Sequence, residues 1–246
     1  TDADVYAIAD HLTAQKTILG KSRFGALETR VGINYEPNGI LFDLSIRQLY
    51  LPVSHMIIDW QHTIVGDGVG NTGIASVMAI LRDRGFTNEH VRTFMMMCKL
   101  PSTYGKPNEQ WLTDRRLKGK SLRSFSSVVL NIVPILFLFM DKYCKDDPML
   151  TDVVRCFKLL HVICGILGSG PEEAPRHEML LRRLFTDYHD LAVHLAFPLK
   201  PKVHQMHHIV DGMVWLGKLL SCFVCERKHR TVKDSALHVF RRIEHT

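Results

Sequence analysis

The sequence has no long hydrophobic run. Its longest, VVLNIVPILFLFM at residues 128–140, is interrupted by Asn131 and Pro134. A helix needs about 20 mainly apolar residues to span a bilayer. We therefore predict a buried core helix here and no membrane partner. A charged segment followed by an apolar stretch is also missing near Thr1, so we expect no secretory signal peptide.

Cysteine is sparse, and its six copies are scattered along the chain. Several lie inside apolar helical patterns such as RCFKLLHVICGIL, where cysteine usually acts as a small buried hydrophobic residue. Without a secretory signal, this pattern argues against a disulfide framework and predicts an intracellular, reducing compartment. Low-complexity tracts and short repeats are absent too. A content of 46% hydrophobic and 23% charged residues is ordinary for a folded soluble protein.

Positive charge is abundant but unevenly spread. The net charge is +6, and residues 200–246 contain nine Lys or Arg against four Asp or Glu. A basic segment on a nearly neutral body suggests a local patch that faces an anion, most simply a phosphate backbone. A solvated helix face explains the same charge equally well, and both readings stay open.

Apolar periodicity predicts a mainly α fold with a small β element in a single domain, residues 1–246. We expect one or two short strands in LFDLSIRQLYLPVSHMIIDW, the best candidate being His55–Trp60. Two further helices hinged near Gly217 should follow the last break. The other helical patterns cover residues 3–18, 121–144, 149–168 and 173–196.

The stretch IIDWQHTIVGDGVGN, residues 57–71, contains Asp59 and His62 three residues apart, with Asp67 nearby. An acid at the end of a strand followed one turn later by a histidine can hold a divalent metal or transfer a proton. Alternatively, Asp59 is a helix N-cap and His62 a packed core residue.

A second group of ligand types lies in KPKVHQMHHIVDGMVWLGKLLSCFVCERKHRTVK. His204 and His208 are four residues apart and share one face of a helix, and Cys222 and Cys225 are three apart. Together they supply four ligands of the types that zinc prefers. Burial explains each pair as well, so a structural zinc site and simple packing both stay open.

Glu226 is the single acidic residue in the basic run CERKHRTVK. In this setting a glutamate is either a surface residue that balances charge or a metal-ligand carboxylate flanked by phosphate-binding bases. The neighbouring bases are Arg227, Lys228, Arg230 and Lys233.

These motifs resemble those of one family. DWQHTIVGDGVGN resembles the Asp-x-x-His element of DDE-type, CACTA-like transposases, and the KPK-x-H to ERKHRTVK stretch resembles the C-terminal part of the same proteins. NYEPNGILFD resembles the segment that precedes the Asp-x-x-His element. The resemblance covers residues 30–75 and 198–240.

The resemblance implies a partial RNase H-like core, formed by residues 40–75 and 198–246 and interrupted by a helical insertion at 88–197. It also implies DNA as a partner and nuclear localisation, with a homo-oligomer left open. One departure is clear: no strand-borne aspartate precedes the Asp-x-x-His element, so the first catalytic acid of the family is not identified. We therefore expect the chain to be a fragment or a degenerate relative of these transposases.

For the site, the resemblance implies that Asp59, His62 and Glu226 are catalytic and that Asp59 and Glu226 hold Mg²⁺ or Mn²⁺ for strand cleavage and transfer. Arg227, Lys228, Arg230 and Lys233 would bind DNA phosphates. Two alternatives remain. One is a non-catalytic nucleic-acid-binding module. The other is a helical interaction domain with zinc on His204, His208, Cys222 and Cys225, or with these residues simply packed.

Overall fold

The computed structural model describes residues 1–54, 56–99, 107–117 and 119–222. Within them the chain folds into two compact units, Thr1–Ile57 and a larger one that begins at Ile58. Each unit is described by itself. The prediction of a single domain stays a prediction, because the grouping of contacts does not test whether either unit folds alone.

The first unit contains helix α1, Asp2–Lys16, and helix α2, Lys21–Val31. Thr1 caps α1, with its hydroxyl accepting a hydrogen bond from the Asp4 backbone N–H at 3.3 Å. Such a cap satisfies one of the donors that the first turn leaves open. A small core of Leu12, Phe24 and Leu27 joins the helices.

The larger unit is a helical bundle. Its described helices are α3 Val69–Asp83, α4 Asn88–Met97, α5 Ser126–Tyr143, α6 Thr151–Gly168, α7 Glu178–His194 and α8 Pro201–Leu216, with short 3₁₀ turns at Glu109–Leu112 and Ala174–His177. Helix α6 packs against α5 and α7, and α7 packs against α8. A π-helical turn at Gln61–Val65 contacts α3, α5 and α8.

Apolar spacing explains why α6 is central. Phe157, Leu160, Cys164 and Leu167 recur three or four residues apart and are all buried. This spacing places them on one helix face. Burying a side chain of the size of Phe157 contributes about 1.5–3 kcal/mol. The predicted helical patterns over the middle of the chain are confirmed.

Two segments, Gln61–Asp83 and Ser126–Tyr143, are long and apolar enough to cross a membrane by length and composition alone. In the most apolar window of each, 72% and 44% of the residues are buried within the protein. The predicted helix at residues 128–140 is confirmed as part of α5. The expected absence of a membrane partner stays a prediction.

The predicted β element is wrong. Among the described residues no strand forms, and Trp60 already begins the helical turn that follows. A strand needs a neighbouring strand for its backbone N–H and C=O groups. Here the bonds that this segment makes are local, since Met56 N donates to the Val53 carbonyl at 3.1 Å and the Asp59 carbonyl accepts from Thr63 N at 3.1 Å.

The RNase H-like core is wrong for the same reason, because that fold is built on a mixed sheet. Residues 88–197 are therefore not an insertion into such a core. Their helices, α5 to α7 above all, supply most of the buried apolar side chains of the larger unit.

Candidate metal-ligand cluster and basic pocket

Asp59 and His62 are positioned by the π-helical turn. The Asp59 Oδ2 atom accepts a hydrogen bond from the His62 backbone N–H at 2.9 Å and lies 2.7 Å from His62 Nδ1. The Thr63 hydroxyl donates to the Asp59 carbonyl at 2.8 Å. Asp59 thus acts as the cap of the turn, and the same bonds hold its carboxylate beside the imidazole of His62.

Cys222 joins these two residues from 163 positions along the chain. Its backbone N–H donates to Asp59 Oδ1 at 3.0 Å. One ligand atom each of Asp59, His62 and Cys222 then lie within 4.8 Å of one another. The Asp59 side chain is 18% exposed and that of His62 52% exposed, so this metal-ligand cluster is shielded on one side and open on the other.

Lys202 ties the start of α8 to the same turn. Its ammonium group donates to the carbonyl oxygens of His62 and Gly66, both at 2.7 Å. Pro201 is the first residue of α8, where its missing N–H costs no helical hydrogen bond. Burial lowers the pKa of Lys202. The Lys-Pro-Lys motif and the Asp-x-x-His element are therefore in direct contact.

Lys200, two residues earlier, makes a different contact. Its ammonium group lies 2.9 Å from Asp67 Oδ1, which also accepts a hydrogen bond from the Ser121 hydroxyl at 2.9 Å. The Lys200 hydrogen bond is the main cause that lowers the pKa of Asp67. Asp67 has a φ of 53°, a left-handed conformation that Asp tolerates better than most residues.

A cavity of about 650 Å³ opens at this ion pair. We call it the basic pocket, because its lining, among the described residues, contains four cationic side chains and a single acid, Asp67. With Asp67 ionised, the formal charge of this lining is positive by three. A surface of one sign around a concave site concentrates ions of the opposite sign. The four cations are Arg116, Lys120, Arg123 and Lys200.

Asn71, which is fully buried, fixes the loop that carries three of these cations. Its side chain donates to the Leu122 carbonyl at 2.8 Å, and the Leu122 N–H donates to the Asn71 carbonyl at 2.9 Å. The Asn71 side-chain oxygen accepts from Gly68 N at 3.2 Å. A buried amide with all these partners holds its neighbours rigidly. The wall of the basic pocket around Leu122 is thus held by hydrogen bonds within the protein.

The basic pocket was not assigned from the sequence. Its signal was the density of bases between residues 115 and 123, where five of nine residues are Lys or Arg. One of them, Lys118, lies outside the described residues. Local charge could mark this loop as basic, but it could not show that the loop faces Lys200.

The predicted site residues fall into three sets. Asp59 and His62 lie together, as the spacing predicted. His204 and His208 pair with each other, with Nε2 atoms 3.2 Å apart, and His208 contacts Asp211 at 3.1 Å. Their predicted zinc role with Cys222 and Cys225 stays a prediction. Outside the described residues lie Cys225, Glu226, Arg227, Lys228, Arg230 and Lys233.

The ligand types of the cluster favour one class of metal. Mg²⁺ and Mn²⁺ prefer oxygen ligands, whereas zinc binds carboxylate oxygen, imidazole nitrogen and thiolate sulfur. Asp59, His62 and Cys222 offer one of each. These ligand types are ones that zinc accepts, and the Mg²⁺ or Mn²⁺ site on Asp59 and Glu226 stays a prediction, because Glu226 lies outside the described residues.

No family model matches the chain, and no curated protein or solved structure is significantly similar to it. The resemblance to DDE-type transposases therefore stays a prediction. It depends on the Asp-x-x-His element, the Lys-Pro-Lys motif and the segment NYEPNGILFD.

Proposed function

We propose that the chain is a transposon-derived DNA-binding protein related to DDE-type transposases. The observation that carries the proposal is the basic pocket, whose described lining contains four cationic side chains and one acid, with three of the cations on the loop that Asn71 holds. DNA presents closely spaced phosphates, and neutralising them with Lys or Arg releases counterions and favours binding.

The Lys-Pro-Lys motif gives further support. Lys200 lines the basic pocket, while Lys202 holds the turn that carries His62. Two of the three motifs on which the transposase resemblance depends are thus adjacent in a helical fold. Strand cleavage is a separate prediction, because the described part of the cluster contains only one carboxylate, that of Asp59, and Glu226 lies outside the described residues.

The test is the salt dependence of DNA binding by the double variant Lys120→Gln/Arg123→Gln. Both side chains are exposed, and the backbone bond from Arg123 N to the Arg116 carbonyl survives the change. Each phosphate contact that is lost should reduce the slope of log K against log salt by about 1. We therefore expect a slope shallower by about 2, and about 10-fold weaker duplex binding at low salt.

The control is Lys145→Gln/Lys158→Gln, which removes the same charge from exposed positions away from the pocket. It should leave the slope nearly unchanged. If both double variants lose affinity equally, binding depends on net charge alone and the pocket has no role. If the unaltered chain does not bind DNA even at low salt, the proposal is wrong.

Metal-dependent cleavage separates the two nucleic-acid hypotheses. An active transposase relative should nick or transfer strands when Mg²⁺ or Mn²⁺ is added, whereas a non-catalytic module should bind DNA and leave it intact. The measurement is gel analysis of labelled duplex DNA with and without each metal.

A further inference from the structure

We infer that Asp59, His62 and Cys222 form a zinc site with three protein ligands. This inference concerns a different group of residues from the basic pocket and does not depend on DNA binding. It also departs from the carboxylate-only Mg²⁺ or Mn²⁺ site that the transposase resemblance implies.

The distances suit a zinc ion. Zinc bonds of about 2.0–2.3 Å in a tetrahedron place neighbouring ligand atoms about 3.3–3.8 Å apart. The three ligand atoms here lie within 4.8 Å of one another, and Asp59 Oδ2 lies 2.7 Å from His62 Nδ1 in a contact that a shared ion would replace. Shifts of about 1 Å, some apart and some together, would seat the ion. Three protein ligands leave a fourth tetrahedral position, as in catalytic zinc sites.

The surroundings orient the ligands. Asp59 Oδ1 accepts the Cys222 backbone N–H and Asp59 Oδ2 accepts the His62 backbone N–H. Hydrogen bonds of this kind fix the direction of a ligating carboxylate. Lys202 holds the backbone carbonyl of His62 at 2.7 Å. The two residues from the turn are thus preordered.

Capping alone is the competing explanation. The bonds that place Asp59 come from backbone N–H groups, and they would persist in a site that never binds metal. A variant that removes a ligating side chain but keeps its backbone N–H group therefore distinguishes metal binding from capping. Cys222→Ser and His62→Ala do this, since each removes one ligand atom and keeps the backbone N–H bond to Asp59. His62→Ala also removes the 2.7 Å contact between His62 Nδ1 and Asp59 Oδ2, so Cys222→Ser is the cleaner of the two.

The experiment uses the full 246-residue chain, purified without a histidine tag. Zinc is measured by mass spectrometry, and Co²⁺ titration monitors thiolate-to-cobalt absorption. We expect about one equivalent of metal and a thiolate band. Cys222→Ser should abolish the band, and either variant should weaken metal binding by more than about 100-fold, beyond the about 10–100-fold that loss of an orienting partner costs.

The matched control is Cys98→Ser, which removes a half-buried thiol outside the cluster. It should keep both the band and the affinity. Far-ultraviolet circular dichroism of each variant in EDTA checks folding, and His62→Ala carries the test if Cys222→Ser does not fold. Unchanged metal binding in the folded variants would overturn the inference, as would metal that is lost only in His204→Ala/His208→Ala.

DNA binding measured in EDTA separates this inference from the proposed function. If zinc binding fails while DNA binding and its salt slope remain, only the zinc site is wrong. If the cobalt band appears and DNA binding is absent, the zinc site stands and the DNA-binding proposal is wrong.

Discussion

The metal-ligand cluster and the basic pocket differ in chemistry although they share one short segment, residues 59–67. At its start, Asp59 and His62 offer electron pairs to a cation. At its end, Asp67 is outnumbered by four cationic side chains that offer only N–H donors. The same stretch thus borders two groups of side chains of different chemistry, and distant residues complete each group.

The two lysines of the Lys-Pro-Lys motif each contact one of the two regions. Lys202 donates to backbone carbonyls of the turn, so its charge is used for structure. Lys200 pairs with the Asp67 carboxylate and remains on the wall of the basic pocket. Residues of the same type, two positions apart, therefore have different roles.

Gly68→Ala should have the largest effect, because it breaks both regions. A Cβ atom at Gly68 would lie 2.1 Å from the Thr63 carbonyl oxygen, so the turn must shift. Overpacking of this kind typically costs about 1–3 kcal/mol and sometimes more. We expect that loss in the free energy of unfolding, with weaker binding of both Co²⁺ and DNA. Urea denaturation followed by circular dichroism measures it.

The control for this change is Gly165→Ala in helix α6, where a Cβ atom would meet nothing within 4 Å. Alanine is a better helix former than glycine, so the unfolding free energy should rise by about 0.5–1 kcal/mol. Equal stability of the two variants would contradict the close approach at Gly68.

Asp67→Asn should change the basic pocket and leave the metal-ligand cluster unaltered. It removes the one acid among the described residues of the lining and releases the charge of Lys200. We expect DNA affinity to rise several-fold at low salt and Co²⁺ affinity to stay unchanged. Asp146→Asn, an exposed acid outside the pocket, is the control. Equal gains in DNA affinity from both variants would show that the effect depends on net charge alone.

The pKa of Asp67 also predicts how the effect of Asp67→Asn on DNA affinity depends on pH. Because the Lys200 hydrogen bond lowers the pKa of Asp67, the carboxylate is ionised above its ordinary pKa of about 4. The ion pair is therefore present at neutral pH and is lost only as the pH falls through the lowered pKa. The ratio of the DNA affinity of the Asp67→Asn variant to that of the unaltered chain should stay constant between about pH 6 and 8.

The smallest effect should come from His207, which lies outside both regions. Burial, followed by the nearby His189, His204 and His208, lowers its pKa. The unfolded chain then binds more protons below about pH 6.5, so stability falls as the pH drops through this range. The melting temperature should decrease on acidification, and less so in His207→Gln. His11→Gln, which changes an exposed histidine, should keep the decrease.

The sequence predicted those parts that depend on local spacing. The helices α5, α6 and α7 follow from apolar residues repeated every three or four positions. The proximity of Asp59 and His62 follows from a separation of three on a helical turn. The strand at His55–Trp60 was wrong because a short apolar run fits a strand and a buried turn equally well, and only neighbouring elements decide between them.

What the sequence determined by itself was the helical character of the chain and the pairing of neighbouring ligands, since both arise from contacts within one or two turns. The tertiary structure alone decided that Cys222 joins Asp59 across 163 residues, and that the basic loop faces Lys200. These contacts depend on how α3, α5 and α8 pack around the turn. Side-chain packing at that range leaves no periodic trace in the sequence.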